Sequence, residues 1–143
     1  MRKKIVIING PNLNLLGLRE PQIYGTESFE EYFLKLKERY YNQAELIYIQ
    51  SNHEGTLIDT LQNYGYEQCG LILNAGGYTH TSIALADCIS AIQAPVIEVH
   101  ISDIKKRESF RHHSYLEAVC HQSIMGHGLE GYAMAIEVLL PIL

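Results

Sequence analysis

The stretch Ile5-Val6-Ile7-Ile8-Asn9-Gly10-Pro11 decides the fold of this chain. Its four consecutive β-branched residues predict a strand that is buried on both faces, because a strand with one solvated face alternates apolar and polar side chains. Strands of that kind belong to parallel sheets that helices cover on both sides. The Asn-Gly-Pro that follows is a strong turn signal. We therefore expect a parallel sheet that includes residues 5–8 as its first strand.

Strand and helix patterns alternate along the rest of the chain. Ser28 and Glu31 form a capping box at the start of the first predicted helix. Further helices are expected at residues 57–64, 83–92 and 129–140, and further strands at residues 46–49, 70–74, 96–101 and, more weakly, 119–125. This alternation implies right-handed βαβ crossovers. Five strands in this length fit an α/β, flavodoxin-like, doubly wound parallel sheet of order 2-1-3-4-5 with helices on both faces.

The composition is typical of one globular domain spanning residues 1–143. Of the 143 residues, 47% are hydrophobic and 19% are charged. The net charge of -5, without a basic stripe, disfavours nucleic acid as a partner. No apolar run approaches the roughly 18 residues of a membrane helix, so we expect no membrane association and a cytoplasmic location. Three cysteines without a C-x-x-C motif predict reduced thiols rather than disulfides.

Amide and imidazole side chains dominate the positions where ligands of doubly wound sheets bind, outside the carboxyl ends of the strands. These positions carry Asn9, Asn12, Asn14, Asn52, His53, Glu54, Asn74, His80, His100 and Ser102. Two long connections, residues 10–27 and 102–116, also begin there, and long loops in compact domains are usually functional. The paired acids of a Mg²⁺-dependent phosphoryl-accepting domain are absent. The first connection is also too long for the phosphate loop of a flavodoxin, and we expect no helix in it before residue 28.

Other familiar motifs are weak or missing. Gly126-His127-Gly128-Leu129-Glu130-Gly131 matches G-x-G-x-x-G, but it lies near the end of the chain, whereas a dinucleotide fingerprint belongs to a first βα turn. We interpret these glycines as a tight strand-to-helix turn. Neither H-E-x-x-H nor H-x-H occurs, so no metal site is predicted, and the absence of G-x-S-x-G disfavours a hydrolase nucleophile elbow.

Two pairs of residues point to proton transfer. Glu98 precedes His100 by two residues on the same side of a strand, where a carboxylate can orient or charge the imidazole of a general acid. A purely structural pair remains the alternative. Arg19 and Tyr24 share the first long loop, and a guanidinium favours the phenolate that would act as a base. Ordinary surface positions are the alternative there. Arg111 could bind a carboxylate or hydroxyl groups.

Six blocks of sequence join these residues into a longer pattern. The blocks are Asn9-Gly10-Pro11-Asn12-Leu13-Asn14-Leu15-Leu16-Gly17 with Arg19-Glu20-Pro21 and Tyr24-Gly25, Gln50-Ser51-Asn52-His53-Glu54-Gly55, Asn74-Ala75-Gly76-Gly77-Tyr78-Thr79-His80-Thr81-Ser82, Glu98-Val99-His100-Ile101-Ser102, Arg107-Glu108-Ser109-Phe110-Arg111-His112, and Gly126-His127-Gly128-Leu129-Glu130-Gly131-Tyr132. Over residues 5 to about 139 the chain closely resembles the type II 3-dehydroquinate dehydratases. The resemblance implies a lyase without metal or cofactor that converts 3-dehydroquinate to 3-dehydroshikimate. The reaction is an anti elimination through an enolate, in the shikimate pathway to chorismate and the aromatic amino acids or in quinate breakdown.

The resemblance also implies catalytic roles. Tyr24 is expected to remove the proton next to the ketone, and Arg19 to keep this base ionised. Asn12 is expected to help hold a water that stabilises the enolate. His100 is expected to protonate the departing hydroxyl. The alternative from another class is a flavodoxin-like module that binds a small ligand without chemistry.

Substrate binding is assigned by the same resemblance. The backbone amides of Ile101 and Ser102, with the side chains of Ser102 and Asn74, are expected to hold the substrate carboxylate. His80 and Arg111 are expected to bind the ring hydroxyls. The loop between residues 19 and 24 is expected to close over the site as a lid.

Three further expectations concern support and assembly. Glu98 and Asn74 are expected to orient His100. Asp87 is expected to reach the site of a neighbouring subunit in a homododecamer built as four trimers. Asp103 departs from the family, whose members commonly have Asn there, and we expect its side chain to face away from the carboxylate site.

Overall fold

A five-stranded parallel sheet organises the protein, which a computed structural model describes over all 143 residues. Its strands are β1 (Lys3–Asn9), β2 (Ala44–Gln50), β3 (Cys69–Asn74), β4 (Val96–His100) and β5 (Gln122–Met125). The strands lie in the order β2-β1-β3-β4-β5, and all neighbours run parallel. This order confirms the predicted flavodoxin-like topology. Residues 5–8 are fully buried, as expected of a central strand covered on both faces.

The chain has five helices, four of which cover the sheet. They are α1 (Pro21–Tyr24), α2 (Phe29–Arg39), α3 (Glu54–Tyr64), α4 (Ile83–Ala91) and α5 (Glu130–Leu139). Helices α2 and α5 pack in one apolar cluster with one face of the sheet, and α3 and α4 pack in a second cluster with the other face. The two cores account for the apolar strand pattern. No helix is long and apolar enough to cross a membrane.

The local signals at helix ends are confirmed. In the capping box of α2, the Glu31 backbone N–H donates to Ser28 Oγ at 3.1 Å, and the Ser28 N–H donates to the Glu31 carboxylate at 3.3 Å. The glycine-rich turn before α5 is a tight turn, because Gly126 and Gly128 have φ of 83° and 59°. A Cβ on Gly131 would lie 3.3 Å from the Val99 side chain, so this glycine allows close packing of helix on sheet.

Two sequence expectations are corrected by the structure. The first long connection contains a 3-10 turn, Leu13–Leu15, and helix α1, although no helix was expected before residue 28. Helix α1 has only four residues, too few for an apolar period, and Pro21 begins it because its fixed φ suits the first helical position. Strand β5 begins at Gln122 rather than at residue 119, because the preceding N–H groups donate to the Leu116 carbonyl in a turn.

Candidate active site

A cavity of about 200 Å³ opens at the carboxyl ends of β1, β3 and β4. All of the predicted site residues line it except Glu98, which lies behind His100, and Asp87, which lies exposed on α4. Arginine supplies three of the lining side chains and histidine two, whereas no Asp or Glu is among them. A site with this lining favours a small anionic ligand that carries oxygen atoms.

His100 is held at the end of β4 by a buried carboxylate. Its Nε2–H donates to Glu98 Oε2 at 2.7 Å, since an ionised carboxylate can only accept. Glu98 is fully buried and His100 is 5% exposed. Because Nε2 is engaged, Nδ1 is the ring nitrogen without a hydrogen-bond partner in the protein, and it is the atom available to a ligand.

Three hydroxyl groups keep the Glu98 carboxylate ionised. Thr79 and Ser114 donate to Oε2 at 2.7 and 2.6 Å, and Ser123 donates to Oε1 at 2.6 Å. Burial raises the pKa of Glu98, but the hydrogen bonds from His100 and from the serines outweigh burial and lower the pKa to about 2. Sequence reasoning missed all three hydroxyls. The register offered a signal for Ser123, which stands opposite Glu98 on β5.

Asn74, at the end of β3, makes no hydrogen bond to His100. Its Nδ2 donates to the Tyr132 hydroxyl at 3.0 Å, and its Oδ1 accepts the Gly76 N–H at 3.1 Å. The expected orientation of His100 by Asn74 is therefore not seen, because the amide oxygen faces Gly76 and the amide nitrogen donates to Tyr132. Glu98 alone of the two expected partners contacts the imidazole.

Tyr24 ends helix α1 and is flanked by two guanidinium groups. Arg107 Nη1 donates to the Tyr24 hydroxyl at 2.8 Å, whereas the Arg19 guanidinium carbon lies over the ring, 5.1 Å from its centroid. Arg107 also donates to Ser102 Oγ at 3.3 Å. The direct contact thus comes from Arg107, for which the sequence suggested no role. The available hint was that Arg107 begins the same sequence block as Arg111, in the second long connection.

Asn12 lies at the cavity in a left-handed conformation, with φ of 71°. Its backbone N–H donates to Asn52 Oδ1 at 3.0 Å, and this contact ties the loop after β1 to the loop after β2. Gly10 brings the loops after β1 and β3 together, because a Cβ there would lie 2.6 Å from the Ala75 carbonyl oxygen. Asn12 is thus held both by the loop after β2 and by its own loop, where its carbonyl accepts the Leu15 N–H at 3.0 Å.

His80 and Arg111 line the opposite wall of the cavity. His80 Nδ1–H donates to the His113 carbonyl at 2.8 Å, which leaves Nε2 free. Burial lowers the pKa of His80, and the nearby His100 and Arg111 act in the same direction. Arg111 Nε donates to Glu108 at 2.6 Å. Asp103 is outside the lining, as expected, and accepts the Lys105 N–H at 3.0 Å.

Comparison with known proteins identifies the family. Residues 3–140 match the family model described as dehydroquinase class II. The chain belongs to this family. The 3-dehydroquinate dehydratase of an Exiguobacterium species is 54% identical over 138 residues, which cover 96% of this chain and 94% of that protein. The enzyme of the same name from Halothermothrix orenii is 47% identical over 141 residues, covering 98% of this chain and 95% of that protein.

Solved structures of the family have the same fold. The type II dehydroquinase from Propionibacterium acnes superimposes with a TM-score of 0.94 at 37% identity, covering 99% of this chain and 98% of that chain. The type II dehydroquinase from Butyrivibrio crossotus superimposes with a TM-score of 0.90 at 45% identity, covering 96% of this chain and 97% of that chain. The resemblance predicted from the sequence blocks is confirmed. The class II dehydroquinase fold thus extends over nearly the whole chain.

Proposed function

We propose that this chain is a 3-dehydroquinate dehydratase that converts 3-dehydroquinate to 3-dehydroshikimate by anti elimination through an enolate. One observation carries the chemistry. A tyrosine whose hydroxyl is held by a guanidinium and a histidine with a free Nδ1 line the same cavity of about 200 Å³. Elimination of a β-hydroxyl from a ketone requires one base, one acid and a stabiliser for the enolate.

The base step begins at Tyr24. Its phenolate takes the proton from the carbon next to the ketone. The electron pair of the C–H bond forms the carbon–carbon double bond of the enolate, and the π electrons of the ketone move onto its oxygen. Arg107, 2.8 Å from the tyrosine oxygen, and Arg19, over the ring, stabilise the negative charge of the phenolate. Asn12 helps to hold the water that donates to the enolate oxygen.

The acid step belongs to His100. The enolate re-forms the ketone and expels the β-hydroxyl, which takes a proton from Nδ1 and leaves as water. The Glu98 anion compensates the positive charge of the imidazole while both of its nitrogens carry a proton. Solvent then removes the proton from Tyr24 and returns one to His100. Both side chains are thereby restored to their starting protonation states, and water is the only product besides 3-dehydroshikimate.

Substrate binding uses the remaining lining residues. The backbone amides of Ile101 and Ser102, with Ser102 Oγ and Asn74 Nδ2, bind the carboxylate. His80 and Arg111 bind the ring hydroxyls. The positively charged lining supports this arrangement, because every charged side chain in it is a cation or a histidine. The reaction is the third step of the shikimate pathway, which we place in the cytoplasm.

The direct test adds 3-dehydroquinate to the purified protein and follows ultraviolet absorbance. The product is a conjugated enone, so absorbance rises if the reaction occurs. Tyr24→Phe prepared in parallel is the matched control, since it carries the same trace of host enzymes. A flat trace with folded wild-type protein contradicts the proposal. Binding of 3-dehydroquinate by calorimetry without turnover would instead support the non-catalytic alternative.

Assembly is part of the proposal. We infer a homododecamer of four trimers, in which Asp87 reaches the cavity of a neighbouring subunit. Asp87 is exposed on α4 beside Ile83, an apolar side chain that is 58% exposed in the isolated chain. Sedimentation should give about twelve times the 16.2 kDa of one chain. A monomer at micromolar concentration contradicts this part of the proposal and leaves the activity to be decided by the absorbance assay.

A further inference from the structure

A buried hydrogen-bonded chain links Asn9, Tyr132 and Asn74 behind the cavity. Tyr132, on α5, is fully buried, and its hydroxyl donates to Asn9 Oδ1 at 2.8 Å. The hydroxyl oxygen of Tyr132 in turn accepts from Asn74 Nδ2 at 3.0 Å. Asn9 and Asn74 end neighbouring strands and stand opposite each other in the register. Of the three residues, only Asn74 lines the cavity.

Donors and acceptors along this chain have a single consistent arrangement. The Gly76 N–H can only donate, so the Asn74 atom that faces it at 3.1 Å is the oxygen. The Asn74 amide nitrogen therefore faces Tyr132, whose oxygen must accept. The hydroxyl hydrogen of Tyr132 is then left for Asn9, whose oxygen accepts it. Reversal of the Asn74 amide would place its NH₂ group against the Gly76 N–H, so that two donors would face each other.

We propose that Tyr132 is a positioning residue that fixes the Asn74 amide with its second N–H available to the substrate. The Asn74 nitrogen carries two hydrogens, and Tyr132 accepts only one of them. The other amide hydrogen of Asn74 has no acceptor in the protein, and Asn74 is one of the residues that line the cavity. A donor at that place suits a carboxylate, in keeping with a lining that contains no acidic residue. The inference rests on the proposed function for the identity of the ligand.

Packing alone does not require a hydroxyl at residue 132. The ring packs on Phe29, with centroids 4.9 Å apart, in an aromatic cluster that also contains Tyr32 and Tyr48. The buried hydroxyl of Tyr32 has no hydrogen-bond partner, whereas that of Tyr132 has two. Burial raises the pKa of Tyr132, so the group stays neutral and keeps both its donor and its acceptor role.

The test compares Tyr132→Phe with Tyr32→Phe in the absorbance assay. Tyr32→Phe removes a hydroxyl from the same cluster without touching Asn74. We expect Tyr132→Phe to raise KM about tenfold and to change kcat less than about threefold, because ground-state binding is affected. Tyr32→Phe should leave both unchanged. If the wild type turns over substrate but Tyr132→Phe has an unchanged KM, the inference is contradicted and the proposed function stands. If the wild type shows no turnover, both are overturned.

A double-mutant cycle shows whether Tyr132 acts through Asn74. In an Asn74→Ala background, Tyr132→Phe should change KM less than about twofold, because the residue it positions is gone. Two effects that simply multiply would contradict the link. If Tyr132→Phe does not fold, Asn9→Leu removes the acceptor at the far end of the chain. That variant should also raise KM, and an unchanged KM would overturn the inference.

Discussion

His100 and Tyr24 line the same cavity, but they are held by different parts of the fold. The acid side of the site is His100 with Glu98 and its hydroxyl donors Thr79, Ser114 and Ser123. These residues lie on β4, on β5 and in the adjoining loops, and all except the half-buried Ser123 are buried. The base side, Tyr24 with Arg19 and Arg107, stands on two long connections and is only partly buried. In the proposed mechanism both sides supply proton chemistry, but only the acid side is part of the core.

This difference connects stability with function. A change on the acid side disturbs a fully buried carboxylate and its four hydrogen-bond donors, so it should weaken folding as well as activity. A change on the base side affects side chains that the core does not need. The loops can move to admit substrate, whereas the acid is already in place in the unliganded protein.

The largest expected effect is the loss of either proton-transfer group. Tyr24→Phe and His100→Ala should each lower kcat by a factor of about 10² to 10⁴. Only His100→Ala should also lower the melting temperature by several degrees, because it removes one of the hydrogen-bond donors to a fully buried carboxylate. Steady-state kinetics and thermal unfolding of both variants measure this. Equal losses of stability would contradict the division between the two sides.

A smaller effect separates the two arginines of the base side. Arg107→Leu should lower kcat by about ten- to a hundredfold, because a charge-assisted hydrogen bond at 2.8 Å to the tyrosine oxygen is lost. Arg19→Leu should lower kcat less than Arg107→Leu does, because the Arg19 guanidinium lies over the ring and makes no hydrogen bond to the hydroxyl. Arg2→Leu, remote from the cavity, is the matched control. A greater loss with Arg19→Leu than with Arg107→Leu would show that Arg19 approaches the hydroxyl when substrate binds.

The smallest effect is a pH dependence of stability that belongs to the acid side. The pKa of Glu98 falls from 4.5 to about 2 on folding, so the folded protein binds fewer protons than the unfolded chain. This contribution is complete above about pH 5 and is lost as the pH falls through about 2. Urea unfolding at pH 5.5 and 3.5 measures it. Glu98→Gln should lose less stability between these two pH values than the wild type does, and an equal loss would refute the Glu98 contribution.

The sheet and its central strand were predictable because they depend on short-range patterns. Residues 5–8 show the apolar run of a doubly covered strand, and the capping box at Ser28 and Glu31 is local chemistry. The pairing of Glu98 with His100 was also within reach, since residues two apart in a strand share a face. These features need no knowledge of what lies across the molecule.

The remaining features depend on contacts between distant parts of the chain. Arg107 and Tyr24 are 83 residues apart, and no periodicity indicates that their two loops meet. Tyr132 and Asn9, 123 residues apart, meet only because α5 packs across the sheet. In the sequence, Tyr132 was only the last residue of the block that begins at Gly126, with no role assigned to it. Its polar role became visible once the acceptors around its hydroxyl were known.

The most direct measurement of the central claim follows hydrogen exchange at the carbon next to the ketone. 3-Dehydroquinate is incubated in D₂O with His100→Ala or with Tyr24→Phe, and the unreacted substrate is analysed by mass spectrometry. We expect His100→Ala to introduce deuterium, because Tyr24 still removes the proton while departure of the hydroxyl is blocked. Tyr24→Phe should introduce none above the rate without protein. Deuterium uptake with Tyr24→Phe and none with His100→Ala would contradict the division into a base side and an acid side.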